Sequence, residues 1–119
     1  MNTMDKYRTL EIISLFVKHE PGERYITERV SQKAMEVVRQ MKNKYFEELP
    51  ISVYPSKWHT LCIDFGETDK ELSLEIGYKS LGYFTNDKQV DKLDIEIFEE
   101  IIEAVIEVET DLEKLFYGK

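Results

Sequence analysis

The sequence has one cysteine, two histidines, three prolines and five glycines in 119 residues. The single cysteine, Cys62, excludes a disulfide within the chain and a zinc or iron–sulfur site built on several cysteines. The few prolines and glycines, with a hydrophobic share of 42%, argue against a disordered chain. A chain of this length buries about two-thirds of its unfolded surface, so residues 1–119 are expected to form a single domain.

Long apolar runs are also missing. The longest apolar stretch covers residues 12–17 and is interrupted by Ser14. That is well short of the roughly 20 residues that a membrane span needs. No charged segment followed by an apolar one opens the chain, so a secretory signal is not indicated. From these absences we expect a cytoplasmic protein without a membrane partner.

The net charge of −8 is unevenly distributed along the chain. Residues 1–60 hold ten Lys and Arg against eight Asp and Glu, whereas residues 61–119 hold six against sixteen. The acidic half should repel phosphate backbones, so direct contact with nucleic acid is not expected. Basic protein surfaces are the favoured partners.

Three segments have apolar residues at the spacing of a helix. The first two predicted helices cover residues 5–18 and 27–48, and Pro50 fits the end of the second. The third begins after Asp94 as its N-cap and runs to about Phe116. Its predicted core seam contains Phe98, Ile101, Val105, Val108, Leu112 and Leu115. Because Ile102 and Ile106 widen this seam, a homodimer through the C-terminal helix is expected.

Between the second and third helices the apolar period changes to two, which predicts strands. They cover residues 51–54, 61–65, 72–76 and 81–85. Residues 86–93 are expected to form a loop, with a frayed fifth strand as the alternative. The predicted fold class is α+β, with two N-terminal helices, a three- or four-stranded antiparallel meander and a long C-terminal helix.

The predicted sheet has one buried face and one wet face. If Phe65 pairs with Leu72, Cys62 lies opposite Glu75 on the wet face. The same register places Asp64 opposite Ser73.

Residues 30–85 carry a recognisable order of motifs. Leu49-Pro50 ends a helix, a strand with Val53 and Pro55 follows, and then come Leu61-Cys62-Ile63-Asp64-Phe65, Leu72-Ser73-Leu74-Glu75-Ile76-Gly77 and Gly82-Tyr83-Phe84. This order resembles a group of small uncharacterised prokaryotic and phage proteins with a helix and a β-meander. The chain departs from their pattern at residues 56–59, which replace a glycine turn, and at Asp64-Phe65, which replaces Glu-Trp. The resemblance implies a bacterial or phage source and a meander packed on a helix, but no activity.

Catalytic and metal-binding patterns are weak. Cys62 and His59 are three residues apart, which on a strand directs side chains to opposite faces, so a thiol–imidazole pair is not expected. Glu67, Asp69 and Glu71 resemble the start of a calcium loop without its glycine and distal glutamate. Asp64 and Glu75 on neighbouring strands suit a nuclease, but Gly77 stands where that motif needs lysine. We therefore expect no cofactor and no metal, and interpret Asp64 and Glu75 as structural bystanders.

Two groups of residues are the better candidates for partner binding. Aromatic side chains are enriched at interface hot spots, and those around the sheet include Tyr54, Trp58 and Tyr78. Acidic side chains dominate the last helix, where Glu99, Glu103 and Glu107 are expected to be exposed on one face. Such a face can imitate the charge spacing of a nucleic acid.

These observations favour a small acidic non-catalytic binding protein. A bacterial or phage inhibitor, antitoxin or immunity protein that binds a basic protein surface fits the size and charge. Two alternatives stay open. One is a small-ligand protein or enzyme with its site on the exposed sheet face, and the other is a homo-oligomeric accessory subunit.

Overall fold

The computed structural model describes residues 5–118, which form four helices and one five-stranded sheet. The helices are α1 (Lys6–Leu15), α2 (Glu28–Gln40), α3 (Lys44–Glu48) and α4 (Phe98–Tyr117). The strands are β1 (Ile51–Pro55), β2 (Leu61–Glu67), β3 (Lys70–Ile76), β4 (Ser80–Phe84) and β5 (Gln89–Asp94). The α+β class and the long C-terminal helix are confirmed.

The sheet is an antiparallel meander in the order β1-β2-β3-β4-β5. Phe65 pairs with Leu72 and Cys62 with Glu75, so the predicted register is confirmed. One face is buried and carries Ile51, Leu61, Ile63, Phe65, Leu72, Leu74, Ile76, Leu81 and Tyr83. The apolar sides of α1, α2 and α4 pack against this face and complete the core. The sheet and helix layers therefore share a single core.

The meander has five strands, so the prediction of three or four is wrong. Residues 89–94 pair with β4, so the alternative of a fifth strand is correct and the expected loop is wrong. Val90 and Leu93 are the two partly buried apolar residues of β5, and they are three positions apart because the pairing shifts between Leu81 and Tyr83. Such a bulge breaks the period of two by which a strand is recognised in a sequence.

The second predicted helix is divided, so three helices precede the sheet instead of two. Met41 is extended, with φ −80° and ψ 151°. Contacts from distant segments hold this break. Lys6 Nζ donates to the Met41 carbonyl at 2.6 Å, and the Lys42 N–H donates to Glu109 Oε2 at 2.8 Å.

The last helix begins later than predicted, because Asp94 belongs to β5 and pairs with Ser80. The N-terminus of α4 is instead closed by Glu100 Oε1, which accepts from the N–H groups of Glu96 and Ile97 at 3.0 and 3.1 Å. Phe98 is 58% exposed rather than part of the core seam. The buried side of α4 also includes Ala104 and Asp111. At 100° per residue, the middle of this buried side therefore lies well around the helix axis from Phe98. None of the helices in residues 5–118 is long and apolar enough to cross a membrane.

Candidate functional site

A groove between α4 and β5 is lined by part of the predicted acidic face of the last helix. It measures about 200 Å³ and is lined by Leu93, Asp94, Glu100, Glu103, Ala104 and Glu107. We call it the acidic groove. Four of its six lining residues are carboxylates and none is basic, so its local field is negative.

The three acidic residues predicted for this helix do not share one environment. Glu99 and Glu103 are exposed as predicted, and Glu103 also lines the acidic groove. Glu107 is half-buried, so its predicted exposure is wrong. The reason is its position on the flank of α4 that turns towards β5, near Leu93 and Asp94.

The second candidate surface is the sheet face opposite the helices, which we call the open sheet face. A pocket of about 180 Å³ lies on it. Its lining includes Tyr54, Cys62, Asp64, Ser73, Glu75, Gly82, Phe84, Gln89 and Asp91. Of the described residues that line this pocket, three are carboxylates and none is basic. Phe84 is 54% exposed here, so it is not a core residue.

Asp64 has an unusual environment on this face. Its Oδ2 accepts a hydrogen bond from the Tyr54 hydroxyl at 2.9 Å. Its Oδ1 is buried and has no hydrogen-bond partner among the described residues. Burial, followed by the hydrogen bond to Asp64, raises the pKa of Tyr54. A buried carboxylate oxygen without a donor costs about 1–3 kcal/mol or more, because the group keeps no compensation for its lost water.

Trp58 and Tyr78 line the third candidate surface, a cavity at one end of the sheet beside the start of α2. The cavity there measures about 650 Å³ and we call it the aromatic groove. Its lining residues are Thr27, Glu28, Arg29, Val30, Trp58, His59, Thr60, Gly77 and Tyr78. Trp58 is 70% exposed and Tyr78 is 41% exposed. Tyr54, the third predicted aromatic, lies on the open sheet face instead.

Basic side chains accompany both rings of the aromatic groove. Lys57 Nζ lies 5.0 Å from the centre of the Trp58 ring. The Arg29 guanidinium carbon and Lys79 Nζ each lie 5.5 Å from the centre of the Tyr78 ring. These distances are within the range of cation–π attraction. Sequence reasoning did not identify Arg29 or Lys79, because their proximity to Tyr78 depends on how α2 packs beside the β3–β4 turn.

The geometry does not assemble a nucleophilic site around Cys62. Burial, followed by the charges of Glu75 and Asp64, raises the pKa of the Cys62 thiol to about 11. His59 Nδ1 lies 3.1 Å from the Tyr25 carbonyl, and its ring stacks on the Tyr25 ring at 4.2 Å. The thiol is therefore neutral near pH 7, and the imidazole already has partners of its own.

The described residues provide no metal site either. Glu75 Oε2 accepts from the Thr60 hydroxyl at 2.5 Å, so this carboxylate is engaged with the β1–β2 turn. Within residues 5–118, no group of three or more His, Cys, Asp or Glu side chains is placed to hold a metal ion.

Comparisons with protein-family models, with curated proteins and with solved structures give no match to this chain.

Proposed function

We propose that this chain is a small non-catalytic binding protein that presents an acidic surface to a basic region of another protein. One observation carries the proposal. The acidic groove is lined by four carboxylates and, among the described residues, by no Lys, Arg or His, and Glu99 is exposed on the same helix. We call the groove together with Glu99 the acidic surface. Surfaces of one sign attract partners of the other and speed their association. An inhibitor, antitoxin or immunity protein of bacterial or phage origin is the kind of molecule that we propose.

The local chemistry supports binding over catalysis. A thiol with a pKa near 11 is a poor nucleophile at neutral pH. Asp64 accepts a hydrogen bond from Tyr54 and Glu75 from Thr60, and none of the described residues lining their pocket is a basic residue that could assist a reaction.

The test is charge reversal at two exposed glutamates of α4. Glu99→Lys with Glu103→Lys changes two exposed residues, whereas Glu100 and Glu107 are avoided because both are half-buried and Glu100 closes the end of α4. The matched control is Glu67→Lys with Asp69→Lys, which makes the same change in net charge in and beside the β2–β3 turn. Immobilised wild-type protein and both variants are exposed to a cell lysate at low and high salt, and the captured proteins are identified by mass spectrometry.

We expect the wild type to retain basic proteins at low salt and to release them as salt screens the charges. The control should retain the same proteins, and the Glu99/Glu103 variant should lose them. Capture that is equal for both variants, or captured proteins that are not basic, would contradict the proposal.

A second candidate function is recognition of a small cationic ligand on the open sheet face. The buried, unpartnered Asp64 Oδ1 favours it, since a cationic donor would compensate that oxygen. Agmatine, which carries both a guanidinium and an amine, is a suitable probe. Calorimetric titration should detect its binding to the wild type and not to Asp64→Asn. Equal heats from both proteins would exclude this candidate.

A further inference from the structure

The aromatic groove differs in charge from the acidic surface. The rings of Trp58 and Tyr78 have three cations against them, namely Lys57, Arg29 and Lys79. Glu28 is the one carboxylate among the described lining residues, and its Oε1 accepts from Gln32 Nε2 at 2.9 Å. In a chain of net charge −8, exposed aromatic surface and positive charge thus coincide at this end of the molecule.

The groove is also held in shape before any ligand arrives. Trp58 lies in the β1–β2 turn, where its backbone N–H donates to Ser56 Oγ at 3.0 Å. The Ser56 N–H donates to the Thr60 carbonyl at 2.8 Å, which closes the turn. A side chain presented by an ordered turn loses less conformational freedom when it is covered.

His59 connects the β1–β2 turn to the loop between α1 and α2. Its ring stacks on Tyr25, which stacks on His19 with ring centres 3.8 Å apart. Its φ of 65° is a left-handed conformation that non-glycine residues seldom adopt. Because a carbonyl only accepts, the Nδ1 of His59 donates to the Tyr25 oxygen.

We propose that the aromatic groove binds a short acidic peptide segment with an aromatic or aliphatic anchor residue. The apolar anchor would lie between Trp58 and Tyr78, and flanking carboxylates would pair with Lys57, Arg29 and Lys79. The aromatic groove would thus select acidic partners, whereas the acidic surface would select basic ones. The ligand proposed for the aromatic groove does not depend on the basic partner proposed above. The molecule would then connect two partners of opposite charge.

Single-stranded nucleic acid is the main competing occupant, because its bases also stack on aromatic rings beside cations. The extension of the groove along α2 argues against it. That extension adds Lys33 and Lys79, but also Glu36 and Glu96. A phosphate backbone carries a negative charge at every nucleotide and would meet these carboxylates, whereas a peptide places its acidic residues only where the cations are.

The test uses the fluorescence of Trp58, which is the only tryptophan in the chain. Emission of the full chain is titrated with the peptide Glu-Glu-Phe-Glu-Glu, with Glu-Glu-Ala-Glu-Glu, with Lys-Lys-Phe-Lys-Lys and with oligothymidylate. The test variant is Arg29→Glu with Lys79→Glu. Its control is Lys70→Glu with Lys92→Glu, two exposed lysines that do not line the groove, with the same change in net charge.

We expect a saturable blue shift with the Phe-containing acidic peptide and weaker binding of the Ala peptide. The Arg29/Lys79 variant should bind about tenfold more weakly, which corresponds to about 1.4 kcal/mol, and the control should match the wild type. Circular dichroism reports whether each variant folds, and Arg29→Gln with Lys79→Gln replaces the test variant if it does not. Absence of a saturable shift, tighter binding of oligothymidylate or of the Lys peptide, or equal loss in the control would overturn the proposal.

Discussion

At the scale of single residues, Asp111 is the charged group most closely tied to the packing. It is 8% exposed and accepts hydrogen bonds from the Tyr83 hydroxyl and from Lys88 Nζ. Burial alone would raise the pKa of Asp111, but these two hydrogen bonds, with the charge of Lys88, lower it below its usual value. Asp111 therefore links α4 to β4 and to the β4–β5 turn.

Asp111→Asn should destabilise the protein by about 1.5–3 kcal/mol at pH 7, the usual range for a hydrogen bond to a charged group. A carboxyl whose pKa is lower in the folded state stabilises the fold above its unfolded pKa of about 3.9. That stabilisation is lost as the pH falls through the folded pKa, so the difference between variant and wild type should shrink in acid. Urea unfolding at pH 7 and below pH 3 measures this, with the exposed Asp69→Asn as control. A difference that stays constant with pH would show that the Asp111 charge is unimportant.

Cys62 provides a second test at this scale. Because its pKa is raised to about 11, only a very small fraction of the thiol is ionised at neutral pH. Alkylation by iodoacetamide at pH 7 should be about 100-fold slower in the folded protein than in urea, where the thiol pKa returns to about 8.5. The folded rate should rise steadily up to about pH 11. A rate in the folded protein that already levels off near pH 7 would indicate an activated thiol and revive an enzymatic function.

At the scale of elements, the sequence predicts an element well where its apolar period is regular. The alternation in β2 and β3 is unbroken, and it predicted their register residue by residue. The division between α2 and α3 was unpredictable from local pattern, because the apolar stripe continues from Val37 through Met41 to Tyr45. The contacts that hold the break come from Lys6 and Glu109, which are 35 and 67 residues distant from their partners.

The candidate sites follow the same rule. Trp58 and Tyr78 were identified as exposed aromatics from the sequence. Their meeting follows from the strand pairings, which place the β1–β2 and β3–β4 turns at the same end of the sheet. Arg29 and Asp91 are not among the predicted site residues, because one depends on helix packing and the other lies in a segment where the pattern favours a loop over a strand.

Gly82 is the residue that allows β5 to lie beside β4. A Cβ atom at this position would lie 2.7 Å from the Asp91 carbonyl oxygen and 3.0 Å from that of Val90. Gly82→Ala should therefore displace β5 and destabilise the protein by about 1–3 kcal/mol. Gly77→Ala is the matched control, since its nearest contact would be 3.4 Å. Hydrogen exchange should show faster exchange of the β5 amides in the Gly82 variant alone. Protection equal to wild type would disprove that Gly82 is needed for β5 to pair with β4.

At the scale of the whole molecule, the exposed apolar side chains of α4 suit self-association. Phe98 and Ile106 are each 58% exposed, and Ile102 between them is partly exposed. We predict a homodimer through this helix, as the width of its apolar stripe indicates. Light scattering should show a dimer for the wild type and a monomer for Ile106→Glu. Leu15→Glu, at an exposed leucine of α1, is the control and should leave the dimer intact.

The dimer and the basic partner would compete for one side of α4, and salt should separate them. On a helix with 100° per residue, Glu99 lies about 20° around the axis from Ile106, and Glu103 about 60°. Joining two copies at Ile106 would bring like carboxylates together, whereas a basic partner would neutralise them. Because salt screens both interactions, it should strengthen the dimer and weaken the complex with the basic partner. Glu99→Gln with Glu103→Gln should act in the same direction as salt, shifting sedimentation profiles towards dimer at low ionic strength while reducing capture of basic proteins. A dimer that weakens with added salt would show that its contacts lie elsewhere, and a dimer that forms while the basic partner stays bound would show that the two surfaces are separate.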